Sequence, residues 1–400
     1  MSTRATAIPD WRNAYKQLLT ARVFGDKTVL LPVAGIRTDG RSDYSRFFPR
    51  DFFTAIELFP DDIAIPVLED ALLFLAVHQG TKKDSFTSEQ PGGIPHEIPG
   101  VTLGKKHPRN TLFAAFDTTP LYIIAAKKYL DRGGKPEVIE AILPNLEAAL
   151  GYIHNHMRDY IYWEDPAHCG ATAYALKATH WRDGGIAGRH GRNHRYPVAY
   201  LITQAMAVAA FRALAFFSQR GLFPGDPDML HFEAEKTKEA LWNIFWHPMK
   251  AMRPAVAVDA LGPVVLTQTD PIVALWYLED SDVPYGYRVA CEQILNELAT
   301  PWGFQTDSCD PTLPGGARMQ KSIWPWEQCY IAEVARKFNL RIDLNPVVEL
   351  ANILLNCGAP FTEFVPLRWG HPHRWPSDCC DIQLWTLAYW AWYEKITHKS

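Results

Sequence analysis

Helical periodicity recurs along almost the whole 400-residue chain, in sequential pairs separated by loops of very unequal length, and that alternation restricts the possible folds more than any other feature. Residues 10–19 read as a first helix with Asp10 as its cap. Residues 24–45 break the pattern, because a Val-Leu-Leu-Pro-Val run set among Gly, Asp and Ser turns predicts short strands or a loop. Helices are then expected over 51–58 and 63–78, broken at Pro60, and over 116–130 and 136–156, separated by Arg132-Gly133-Gly134. Segments 196–220, 227–245, 271–278, 283–298, 322–338, 344–356 and 378–395 bring the count to about twelve. Little of the remainder reads as strand.

Long irregular stretches at 80–110, 160–195 and 302–320 interrupt the helices. Loops of that length in compact domains usually carry function. Six inner helices ringed by six outer ones would gather such loops at one end as a single pocket. The expected fold is therefore all-α, an (α/α)6 barrel spanning 1–400 as one domain, with the first helix and the short-strand segment in residues 1–45. A solenoid of helix pairs is the competing all-α architecture, but the chain has no repeat of fixed period and no linker.

A net charge of -4 without charge blocks argues against nucleic acid or an anionic membrane as the main partner. The amino terminus lacks an apolar export segment, and no window reaches about 18 uninterrupted apolar residues. Seven cysteines, an odd number without a Cys-X-X-Cys, read as reduced thiols, so the expected location is the cytoplasm. Aromatic residues make up 12% of the chain, several beside carboxylates in the loops. Sugar rings need such flat platforms flanked by carboxylates, although a large core uses aromatics too. No phosphate-cradling glycine loop or nucleophile elbow occurs, so no organic cofactor is expected. The pairs His190 with His194 and His371 with His373 fall short of a zinc ligand set, and Asp226 with Asp228 and Asp307 with Asp310 read as turns before calcium ligands.

The segment His180-Trp181-Arg182-Asp183-Gly184-Gly185 places a carboxylate beside an indole and a guanidinium on a glycine-loosened loop. A general acid must be partly desolvated to keep its proton near neutral pH; Asp183 is read as that acid and Trp181 as its apolar wall, the alternative being a turn cap. Arg50-Asp51, at a predicted loop-to-helix junction, would bind adjacent hydroxyls bidentately, or Asp51 would cap the helix. Ser322-Ile323-Trp324-Pro325-Trp326-Glu327 offers two indoles and a carboxylate at a helix start. Pro360-Phe361-Thr362-Glu363-Phe364 sets a carboxylate among apolar neighbours. Two carboxyls roughly 6.5–9.5 Å apart, with one water between them, perform inverting glycoside cleavage. Glu363 is read as the base and Glu327 as the reserve base.

At these positions the chain resembles the glucosidase domain of glycogen-debranching enzymes and, more loosely, glucoamylases and the glucosyl- or mannosylglycerate hydrolases that share the (α/α)6 fold. Phe48-Pro49-Arg50-Asp51 is similar to the family's aromatic-X-Arg-Asp segment, and Gly92-Gly93-Ile94-Pro95-His96-Glu97 to its Gly-X-Ile-Pro-Asn loop. Phe116-Asp117-Thr118-Thr119-Pro120-Leu121-Tyr122 resembles its Asp-X-X-X-aromatic helix start, and Trp181-Arg182-Asp183 the segment bearing the acid. Ile323-Trp324-Pro325-Trp326, then Thr362-Glu363-Phe364 and Cys380-X-X-Gln383-X-Trp385, are similar to its carboxyl-terminal motifs. The matches keep the family's order over residues 44–390.

The resemblance implies an inverting, exo-acting α-glucosidase with a carbohydrate substrate. Tyr44, Phe48, Arg50, Asp51, His96 and Asp117 would line one side of the terminal-sugar subsite. Trp181, Arg182, Trp324, Glu327 and Gln383 would line the other. Two departures are Gly184-Gly185 after the acid and His96 in place of Asn. The lack of a second catalytic domain or starch-binding module favours a short glucoside over glycogen. A sugar epimerase or polysaccharide lyase on the same barrel, with His96 or His180 as proton carrier, and a non-catalytic saccharide-binding protein are the alternatives.

Overall fold

Proline opens most of the helices, because its missing N–H is not needed in a first turn and its fixed φ suits one. The computed structural model describes residues 8–37, 39, 44–183, 194–246, 253–308, 322–368, 371–372 and 380–398. About half of the chain is helix. The described α-helices are α1 (Trp11–Leu18), α2 (Pro49–Ile56), α3 (Asp61–His78), α4 (Thr118–Asp131), α5 (Pro136–Ala141) and α6 (Leu143–His156). They continue with α7 (Leu201–Gln219), α8 (Pro227–Phe245), α9 (Asp270–Ala274), α10 (Tyr285–Leu298), α11 (Pro325–Lys337), α12 (Asn345–Asn356) and α13 (Leu384–Thr397).

The expected helices are present with shifted ends. Asp10 caps α1 by accepting the Asn13 N–H at 3.0 Å. The single helix expected over 136–156 is two, because Pro144 cannot supply the N–H that would continue a helix through Ile142. Helix α2 starts at Pro49, two residues early, so Asp51 lies inside its first turn and caps nothing. Ser322–Ile323 is not helical: it pairs with Val365 and Pro366, and α11 begins only at Pro325. Likewise Ile382–Gln383 pairs with Gly35–Ile36 before α13 starts. Strand is commoner than expected, but short. The longest pairing, Leu19–Phe24 with Lys27–Pro32, turns at Gly25; its second strand falls in the segment read as short strands or a loop, whereas its first begins at Leu19, ahead of that segment.

Two kinds of helix alternate along the chain. Every residue of α2 and α9 is buried, and α4, α7, α11 and α13 are buried on nearly all faces. Helices α1, α3, α6, α8, α10 and α12 bury one stripe and expose the other. A helix apolar all round needs neighbours on every side, whereas a one-stripe helix is an outer layer. The buried set packs in a closed order: α2 on α4, α4 on α7, α7 on α9, α9 on α11, α11 on α13, and α13 back on α2. Helix α7 is long and apolar enough to cross a membrane, yet 78% of its apolar window is buried inside the protein, where its alanines admit α4, α8 and α9 at close range.

The loop carrying His96 is anchored from below. Gly92 adopts φ +83°, and its carbonyl accepts the Gln79 amide, which also donates to the Asn145 carbonyl. A Cβ at Gly92 would come within 2.0 Å of the Ala148 carbonyl oxygen in α6. Backbone cannot yield there as a flexible side chain would. Gly92→Ala is expected to cost about 2 kcal/mol or more, combining positive-φ strain with overlap. Thermal unfolding followed by circular dichroism checks this, and a midpoint equal to the parent's would contradict it.

Candidate active site

The amino-terminal ends of the buried helices carry the chemistry. Arg50 and Asp51 are in the first turn of α2, Asp117 is the N-cap of α4, Asp270 opens α9, Glu327 is in the first turn of α11 and Gln383 is the N-cap of α13. Free N–H groups at such ends favour carboxylates.

Arg50 is the centre of one cluster. Its Nε donates to Asp117 Oδ2 at 2.7 Å, with both side chains buried. Its Nη1 lies 3.4 Å from His96 Nε2 and 3.8 Å from Asp183 Oδ2. His96 Nε2 is 4.0 Å from the same Asp183 oxygen, and its Nδ1 is 3.7 Å from Glu97, itself paired with Arg46 at 2.9 Å. Phe48 sets its ring edge-on to His96 at 5.4 Å, and Tyr44 packs on Phe48 at 6.1 Å. Arg50 Nη2 and Asp117 Oδ1 are buried without a hydrogen-bond partner among the described residues. Orphaned polar atoms of that kind are rare in a core and common where a ligand completes the pairing.

Asp51, 6% exposed, joins both proposed catalytic carboxyls electrostatically. Burial raises its pKa well above the usual carboxylate range; Arg50 opposes that, and the negative charges of Asp183, Glu363 and Asp117 add to it. Asp183 and Glu363 thus lie within electrostatic reach of one buried group. The aromatic residues beside them also converge. Trp324 stacks on Phe364 at 5.1 Å, 17° from parallel, and meets Trp181 edge-on at 6.3 Å. Trp326 and Trp385 extend this cluster, Trp326 lying 5.2 Å from Trp181 and 5.4 Å from Trp385.

The surroundings of Asp183 differ from expectation. Trp181 is not its apolar wall: the indole turns inward and donates to Asp270 Oδ1 at 3.0 Å. The Asp183 side chain is 41% exposed and faces Arg50 and His96. Arg182 also points away, pairing with Asp270 at 2.8 Å and donating to Thr269 Oγ1 and the Thr306 carbonyl, each at 3.0 Å. Glu327 accepts the Thr269 and Thr306 hydroxyls, one on each oxygen. Burial pushes its carboxyl up to about 7 against the pull of Arg182. Glu363 is buried at the turn that precedes the Val365–Arg368 strand. Gln383 is buried, and its Oε1 accepts the Leu384 N–H. His180 is fully buried against the Tyr200 ring at 4.2 Å, and burial keeps it neutral. Gly184, Gly185, His190, His373, Asp310 and Cys379 lie outside the described residues.

Sequence reading missed Asp270 and Glu164. Asp270 precedes a proline at a helix start and looks like an ordinary cap. Trp326 and Trp385 sat inside motifs already singled out, and only their indole spacing could have flagged them. Glu164 is fully buried on the strand bridge to Val198. The hydroxyls of Thr179 and Tyr200 lie alongside, but neither reaches hydrogen-bond geometry with its oxygens. Burial therefore prevails and pushes this carboxyl up to about 8. A folded-state pKa above the unfolded one near 4.5 means that stability from this group is full at low pH and is lost as pH rises to about 8. Glu164→Gln should flatten the fall of stability between about pH 5 and 8. Denaturant titrations of both proteins across that range test it, and parallel curves would refute the assignment.

No family model matches the chain, and no curated protein does. Solved structures do. The GH63 mannosylglycerate hydrolase from Thermus thermophilus, in complex with glucose, aligns with a TM-score of 0.60 at 13% identity, covering 96% of this chain and 98% of that one. A metal-independent alpha mannosidase from Streptococcus pneumoniae, in a non-productive complex with alpha-1,6-mannobiose, aligns at 0.59 and 13% identity over 95% of this chain and 91% of its own. A GH78 rhamnosidase from a Bacillus species aligns at 0.55 and 12% identity, over 89% of this chain and 32% of its own. Identities this low establish shared architecture and nothing finer. The chain has the helical fold of these (α/α)6-type glycoside hydrolases.

Proposed function

We propose that this protein is an inverting, exo-acting glycoside hydrolase, an α-glucosidase for short glucosides, built as a single (α/α)6 barrel domain and working in the cytoplasm. The closed order of six buried helices is its inner ring, and the loops at their amino-terminal ends form the pocket mouth. The observation that carries this reading is that Asp51 feels the charge of both Asp183 and Glu363, while Trp324 packs against the aromatic neighbour of each. Two carboxyls far apart in the chain are thus each near enough to influence the same buried group, which supports this reading.

Asp183 is the general acid. Its carboxyl, 41% exposed, would reach the leaving glycosidic oxygen. Glu363 is the general base: it takes a proton from water as that water attacks the anomeric carbon from the opposite face. The glycosidic bond breaks with its electron pair on the leaving oxygen, which receives the Asp183 proton; solvent restores the starting protonation. Arg50 Nη2 and Asp117 Oδ1, unpartnered among the described residues, would donate to and accept from neighbouring sugar hydroxyls. Trp324, Trp326 and Trp385 supply apolar surface for the ring. Glu327 suits the role of base poorly, because both of its oxygens already accept hydroxyl hydrogen bonds.

Asp183→Asn and Glu363→Gln should each lower turnover about 10²–10⁴-fold with an unchanged far-ultraviolet spectrum. Glu327→Gln should cost less than Glu363→Gln; the reverse order would move the base to Glu327. A panel of α- and β-linked disaccharides and glucosylglycerol-type glucosides, followed by NMR, should show the newly released sugar first in the anomeric configuration opposite to the substrate's. Release with retained configuration would refute inversion, and near-parental activity of both carboxyl variants would refute the site.

A further inference from the structure

Among the described residues no hydrogen bond to the Asp183 carboxyl explains its aim. Its neighbours Arg50 Nη1 at 3.8 Å and His96 Nε2 at 4.0 Å are beyond hydrogen-bonding distance, and the side chain is 41% exposed. The two residues before it are held far more firmly. Trp181 Nε1 and Arg182 Nε both donate to one oxygen of Asp270, at 3.0 and 2.8 Å. The Arg182 guanidinium lies over the Trp181 ring at 4.2 Å. Arg182 Nη2 ends on Thr269 Oγ1 and the Thr306 carbonyl. Thr269 and Thr306 in turn have their hydroxyls committed to Glu327, so the surface receiving the guanidinium is itself fixed.

We propose that Asp270 is a positioning residue for the acid: its buried carboxylate clamps the Trp181-Arg182 dipeptide against α9 and α11 and so sets where the next residue, Asp183, presents its carboxyl. This rests on the reading of Asp183 as general acid. Asp270 is 1% exposed, and one of its oxygens is engaged by both Trp181 and Arg182. It is placed by the start of α9, which is pinned where the Pro271 carbonyl accepts the Tyr287 hydroxyl at 3.0 Å. With one buried anion serving two consecutive donors, the backbone entering Asp183 has little freedom to rotate. A misplacement of about 1 Å in a reacting group is enough to lower a rate about 10²-fold. The same clamp assigns Arg182 to holding the acid loop in place of binding substrate.

Leaving-group dependence separates this role from general structural support, because a fluoride leaving group needs little protonation and an alkoxide needs much. Asp270→Asn should lower kcat for an alkyl α-glucoside about 10²-fold, and that for α-glucosyl fluoride by less than about threefold, with KM within about twofold on both. The acidic and basic limbs of its pH–rate profile on the alkyl glucoside should shift, while Asp183→Asn shows the same preference for the fluoride. Should Asp270→Asn fail to fold, Trp181→Phe removes one of the two donors while keeping an aromatic ring, and it should show the same selectivity at smaller size. Equal losses on both substrates, or a raised KM with unchanged kcat, would overturn the clamp while leaving Asp183 as acid if Asp183→Asn remains selective. Loss of selectivity in Asp183→Asn itself would overturn the acid and the clamp together.

Discussion

The mouth of this fold depends on the buried ion pair between Arg50 and Asp117. Two charges withdrawn from water are costly, and their attraction compensates only when the geometry is close and the remaining polar atoms find partners. Here the geometry is close, at 2.7 Å, but Arg50 Nη2 and Asp117 Oδ1 have no hydrogen-bond partner among the described residues. Removing one member of such a pair typically costs about 3–5 kcal/mol. The pair also joins the first turn of α2 to the cap of α4, and Arg50 is the cation nearest Asp183 among the described residues. Position of the loops, charge at the acid and unfilled hydrogen-bonding capacity for a ligand all trace to one guanidinium.

A second guanidinium repeats the arrangement a few helices further round. Arg182 is locked between Asp270, Thr269 and Thr306 and is as buried as Arg50, and, like Arg50 Nη2, its Nη1 has no hydrogen-bond partner among the described residues. Its Nε and Nη2 are spent within the fold, whereas the Asp183 carboxyl that follows is 41% exposed. Adjacent motif residues therefore serve opposite purposes: Arg182 faces the core and Asp183 faces outward.

Periodicity made the helices legible because a helix that must bury a stripe repeats its apolar residues locally, whatever happens elsewhere. Helix ends were less so: Ser322–Ile323 and Ile382–Gln383 pair as strands with residues 42 to 44 and more than 300 positions away, which no local pattern encodes. The alternation of fully buried and half-buried helices was readable in outline from the paired pattern and long loops. Site residues were legible where a short motif kept charged and aromatic types together, as at Phe48-Pro49-Arg50-Asp51. Direction was not. Trp181 and Arg182 were expected beside the sugar, yet both point to Asp270, 88 residues further on, because an inward-facing carboxylate there outcompetes the pocket. Asp270 looked like a helix cap, and Glu164 like one acid among many, since burial of a carboxyl depends on chain that arrives from elsewhere.

Burial also decides the charge state of the mouth. A helix amino terminus stabilises a neighbouring carboxylate by about 0.3–1 kcal/mol, whereas taking one out of water costs several kcal/mol, so the dipole alone cannot keep these groups ionised. Asp51 and Glu327 show the outcome, since burial raises both despite their places in first turns. Among the described residues Asp51, Asp117 and Asp183 share the field of Arg50, and Asp270 and Glu327 that of Arg182. Carboxyls thus outnumber the guanidiniums that could neutralise them. Burial favours the protonated form of Asp51, which is close enough to Asp183 for their charges to interact. On the proposed function, an arrangement that is electrostatically costly to fold is also the one that would serve acid-assisted departure of an oxygen leaving group.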